Sequence, residues 1–114
     1  MVEPSQWVIA FDGCADAGQD CRCGYFRVTR VGSQEQRVEV LMTAQEEHLL
    51  AMHIGREALS DDQRKAVLEI AGRDLINHCI TEHGHLPPTI YVTSRHLFGR
   101  PGAQWDLLRR AALL

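Results

Sequence analysis

Three of the chain's four cysteines fall in one short stretch, "GCADAGQDCRCG", residues 13–24. Thiols that close together can ligate a metal, form a disulfide or supply a nucleophile. The spacing Cys14-x6-Cys21-x-Cys23 departs from the Cys-x2–4-Cys pair that usually opens a structural zinc site. A bridge between Cys21 and Cys23 would close a small, strained ring. Zinc prefers four ligands, and histidines are the available complement. "HCITEHGH" sets His78, His83 and His85 around the end of a predicted helix. The candidate zinc set is therefore Cys14, Cys21 and Cys23 with His83 and His85. The competing reading is three reduced thiols in a flexible connection. Histidines at a helix C-terminus then simply favour the negative end of its dipole. Cys79 falls on an apolar helical stripe and reads as a small packing residue. His53 reads as a surface or edge residue.

Catalytic signatures are absent. The chain has no Gly-x-Ser-x-Gly elbow, no Gly-x4-Gly-Lys-Ser/Thr loop and no Gly-x-Gly-x-x-Gly fingerprint. Glu82-His83-Gly84-His85 has the wrong order and spacing for a His-Glu-x-x-His zinc helix. A small Cys/His enzyme would have to assemble Cys14, Cys21 or Cys23 with His83 or His85 and Asp16 or Asp20. Only spatial convergence could bring those groups together. The reading preferred here is non-catalytic, with a zinc-binding protein and a Cys/His enzyme as alternatives.

The elements that would carry these residues follow from periodicity. "WVIAF" (7–11) reads as a strand, and Asp12-Gly13 reads as the turn that ends it. Residues 14–24 are small and polar and read as a loop. Strands are expected at 25–31 and 37–43, divided by the polar break "GSQEQ". Residues 44–59 fit either a helix opened by "AQEE" or a strand with Leu50, Met52 and Ile54 on one face. The strand is preferred, because Gly55 disfavours a helix running through it. Residues 60–84 read as one long helix. Ser60 and Gln63 form a capping box, and Gly84 followed by Pro87-Pro88 stops it. Leu68, Ala71, Gly72, Leu75, Ile76, Cys79 and Ile80 share its apolar stripe. Asp62, Lys65, Glu69, Arg73 and Asn77 face water. A strand is expected at 89–94, a type II turn at Pro101-Gly102, and a short apolar helix at 103–114. The fold class is α+β: one domain, 1–114, with an antiparallel meander of about four to five strands packed on the long helix.

The chain has 114 residues, 45% of them hydrophobic and 24% charged, within the globular range. Its formal net charge is −3. Nucleic acid is disfavoured as a partner, because phosphate binding draws on a basic excess. The candidates for it are Arg22, Arg27, Arg30, Arg95 and Arg100, with Tyr25, Phe26 and Tyr91 to stack. The N-terminus lacks the charged start and apolar run of a secretory signal, and no stretch is long enough to span a membrane. A reducing cytoplasm is therefore expected. Positive charge gathers in the last twenty residues, where Arg95, Arg100, Arg109 and Arg110 stand against Asp106. In the same segment Trp105, Leu108 and Ala112 form one helical row, and Leu107, Ala111 and Leu114 another. Such a helix is more apolar than one sheet face can cover. We expect Trp105, Leu108, Arg109 and Ala112 to make contact with a second copy or an acidic protein partner.

Overall fold

The computed structural model describes residues 7–16, 18, 21–93 and 101–112. Four strands form one sheet in the order β1 (Trp7–Asp16), β2 (Cys21–Arg30), β3 (Glu35–Thr43) and β4 (Thr89–Val92). Three helices are described: α1 (Ala44–His53), α2 (Asp61–His83) and α3 (Ala103–Arg110). The fold is α+β, but the sheet is mixed. β1–β2 and β2–β3 are antiparallel, whereas β4 runs parallel to β3. The pure meander is thus corrected at its last strand. α1 and α2 lie between β3 and β4 in sequence and form the long crossover that a parallel pair requires.

Pleating divides the sheet into two faces. Phe26, Val28, Val38, Val40, Met42, Ile90 and Val92 point to one side and are buried. α2 packs there with Val67, Leu68, Ala71, Ile76 and Ile80. Gly72 lets the helix approach the sheet, since a Cβ at that position would lie 2.4 Å from the Phe26 ring. The capping box at Ser60 is formed in both directions, and Gly84 closes α2 at φ 70°. Leu75 and Cys79 are half-buried against the same core.

Several expected elements change. The strand expected at 7–11 does not end at Asp12-Gly13. It bulges there, with Gly13 at φ 114°, and continues to Asp16. The expected loop at 14–24 is largely strand: Cys14 pairs with Gly24, and Cys23 with Ala15 and Leu41. Small side chains concealed a backbone ladder that needs no bulk. Residues 44–53 are helix, not strand. The Thr43 hydroxyl accepts from the Glu46 amide, and Gly55 (φ 71°) sits just past the helix end. Gly102 has φ 79° and ψ 3°, the values of the third residue of a type II turn. α3 stops at Arg110, with Ala112 at φ 59°. Leu113 and Leu114, expected on the helix, lie outside the described residues.

Candidate functional site

The structure separates the candidate zinc ligands. Cys21 and Cys23 project from β2 on the face away from α2, while Cys14 shares the inner face with Gly24 and is exposed at the hairpin end. The histidines belong to the other end of the sheet. Gln36 Nε2 donates to the Leu86 carbonyl at 2.8 Å, which puts the segment after α2 beside Gln36. Cys21 lies opposite Thr43. From Gln36 the strand runs about 13 Å to the level of Cys14, about 16 Å to that of Cys23 and about 23 Å to that of Cys21, so the histidine segment and the thiols lie toward opposite ends of β3. Among the described residues, no group of three or more His, Cys, Asp or Glu side chains is placed to hold a metal ion. No described contact joins Cys14, Cys21 or Cys23 to His83 or His85, and Asp20 lies outside the described residues. His83 and His85 instead cluster with His78, and His85 Nδ1 bonds the His83 carbonyl at 3.1 Å.

The thiols themselves are held quietly. All four cysteines are free. Cys23 is 1% exposed, and its Sγ donates to the Gly24 carbonyl at 3.7 Å. Burial pushes the Cys23 thiol above its ordinary value, and the neighbouring Tyr25 hydroxyl offsets part of that rise. Cys23 in turn raises the Tyr25 phenol. Burial alone raises Cys79. A buried, protonated thiol is a poor nucleophile.

The arginines proposed for nucleic acid are mostly engaged. Arg22 lies 3.4 Å from Asp16 and 3.7 Å from Glu47. Arg27 bonds Asp12 at 2.8 Å and lies 3.8 Å from Glu35. The Arg30 guanidinium sits 5.8 Å over the Trp7 ring. Phe26 is core rather than a stacking surface, and Arg95 and Arg100 lie outside the described residues.

The C-terminal helix also differs from its expected role. Leu108 is 0% exposed, and Leu107 and Ala111 are buried with it. Arg110 pairs with Asp74 of α2 at 2.5 and 3.0 Å. Leu108 is therefore enclosed within the chain and presents no free surface for the expected contact. Trp105, Arg109 and Ala112 remain exposed, with the Trp105 ring edge-on to His53 at 5.2 Å.

A different surface collects exposed aromatic and charged groups. On the sheet face opposite α2, strand register defines rows that run across the strands. Val8, Thr29 and Glu35 form one row, and Ala10, Arg27 and Arg37 the next. Tyr25, Glu39 and Thr89 follow, and then Cys23, Leu41 and Tyr91. Val8 is 62% exposed, Tyr91 61% and Tyr25 38%. A hollow of about 310 Å³ opens among Asp12, Tyr25, Arg37 and Glu39, over the strands at Phe26 and Val38. Arg37 and Glu39 make no ion pair among the described residues. Sequence reading named Tyr25 and Tyr91 but missed Arg37 and Glu39. The signal was the alternation of "RVEVLMT", which placed both charges on the face opposite Val38, Val40 and Met42.

Comparison with protein-family models, with curated proteins and with solved structures finds no match.

Proposed function

We propose that this chain is a small non-catalytic interaction domain that engages a protein surface through the open face of its sheet. One observation carries the reading: α2 covers one face of the sheet, while the opposite face presents Val8, Tyr25 and Tyr91 beside a block of mixed charge. Aromatic residues and arginine are the types most enriched where protein surfaces meet. No described helix is long and apolar enough to cross a membrane. We place the domain in the cytoplasm, where four free cysteines are the ordinary state.

The test is site-specific photo-crosslinking in the cells that make the protein. A photoreactive phenylalanine analogue at Tyr25 should give a discrete protein adduct. The same group at Lys65, on the wet face of α2, should give none. Absence of an adduct from Tyr25, or equal adducts from both positions, overturns the reading.

A further inference from the structure

The open face carries charges that its own molecule leaves unmatched, and their arrangement points to the partner. Arg37 sits directly across from Arg27 in the β2–β3 register. Like charges in that position repel. Asp12 and Glu35 attend Arg27, but neither is paired with Arg37. Two residues along the same strand and on the same face stands Glu39, also outside any ion pair of the described residues. The monomer thus exposes an unmatched cation and an unmatched anion one pleat repeat apart, about 6.6 Å.

We propose that the occupant of this face is a second copy of the chain, stacked sheet on sheet about a two-fold axis. The axis lies between the sheets, perpendicular to the strands, and crosses β3 at Val38. The proposal rests on the interaction reading above and names its partner. Such an axis reverses the strand direction and preserves strand order. Arg37 then faces the second copy's Glu39, and Glu39 faces its Arg37, the reciprocity that an isologous contact requires. The same operation lays Arg27 over the other Tyr25 ring, a cation–π arrangement, and Val8 over the other Ala15. The hollow of about 310 Å³ lies at the axis and gives the incoming side chains room.

Charge complementarity selects this occupant. A strongly acidic partner would leave Asp12, Glu35 and Glu39 against like charge. A strongly basic one would do the same to Arg27 and Arg37. The reversed copy instead sets Arg37 against Glu39 at both places where the monomer leaves them unmatched. The size is also adequate. Three strands of nine or ten residues and the four-residue β4, about 4.8 Å apart at about 3.3 Å per residue, give about 520 Å² per copy before side-chain relief is counted. Two copies together reach the ~1,000 Å² expected of a specific contact. Sheets packed face to face stand about 10 Å apart, within the combined reach of an arginine and a glutamate.

The experiment is a charge swap on the full chain, read by sedimentation equilibrium from micromolar to submillimolar concentration. The wild-type chain of 12.9 kDa should approach twice that mass at the upper end. Arg37→Glu alone and Glu39→Arg alone should each weaken association about a hundredfold or more, since each sets like charge on like charge twice. An equimolar mixture of the two variants should restore the dimer, because both pairs are then opposite in sign. Circular dichroism checks that each variant keeps its fold, which two exposed positions favour. A wild-type chain that stays monomeric throughout overturns the proposal. So does a mixture of folded variants that fails to associate. If the chain stays monomeric while the Tyr25 crosslink yields an adduct with a different protein, the interaction reading survives and the second copy is excluded.

Discussion

Among the described residues, Glu47 is the one buried charged residue, and it joins three elements. The Arg64 Nε of α2 donates to its Oε1, and Arg22 of β2 lies beside its Oε2. The carboxylate itself belongs to α1. Removing one member of such a cluster leaves charge without its counterpart in a poorly solvated place. Glu47→Ala would leave Arg64 with Asp61 and Arg22 with Asp16, and both aspartates are largely solvated. We expect a loss of about 3 kcal/mol, read from urea unfolding. Asp61→Ala removes only an exposed pair and should cost under about 1 kcal/mol. Equal effects from the two substitutions would mean that Glu47 is solvated after all. The thiols supply a pH prediction. Burial raises both Cys23 and Cys79 above the ordinary thiol value of 9.0. Above 9.0 the unfolded chain releases protons that the folded chain retains, so stability must fall as pH rises. Below 9.0 the contribution is fully present. The urea midpoint should therefore be flat with respect to these groups below 9.0 and decline above it, and Cys23→Ala with Cys79→Ala should flatten the decline.

At the scale of elements, the α2–β2 contact turns on Gly72. A Cβ there would lie 2.4, 2.7 and 2.8 Å from three Phe26 ring atoms. Phe26 is buried and braced edge-on by Phe11 at 5.1 Å, so its ring has little room to yield. Helix propensity alone would favour Gly72→Ala by about 1 kcal/mol. Overpacking opposes it with about 1–3 kcal/mol, and a Cβ fixed to the backbone cannot turn away. Net destabilisation is expected on urea titration, and Phe26→Leu in the same chain should turn the alanine neutral or favourable. A stabilising Gly72→Ala in the wild-type background would show that α2 can shift outward freely. The other elements were legible to different degrees, for physical reasons. α2 was plain because cap, stripe and stop all agree. α1 has Glu47, Leu50 and Ala51 buried at helical spacing, but a glutamate in the core position disguises the stripe. Its partners, Arg22 and Arg64, are distant in sequence. Asp12-Gly13 carries turn chemistry whether the chain turns or merely bulges, and only the β2 register separates the two. The cysteine and histidine cluster looked local in sequence, yet the length of β3 holds its halves apart.

For the whole molecule, the consequential difference is β4. Its residues are those of any short strand, and nothing within them says which neighbour they join or in which direction. Once α1 and α2 are both helices, the chain between β3 and β4 is long enough for a crossover, and the parallel pairing becomes available. β4 then closes the core beside β3, and α3 docks on α2 rather than standing free. Eight residues are too few for a stable isolated helix, so α3 persists through its contacts. Leu108 is the most enclosed of these, and Arg110 is pinned to Asp74. Leu108→Ala should cost about 2–5 kcal/mol through lost transfer energy and a cavity, read by denaturant unfolding. Trp105→Ala, at an exposed position, should cost much less. If the dimer forms through the open sheet face, Trp105→Ala should also leave the sedimentation mass unchanged, because α3 lies on the far side of the sheet. Loss of association in a folded Trp105→Ala variant would move the contact back to the C-terminal helix.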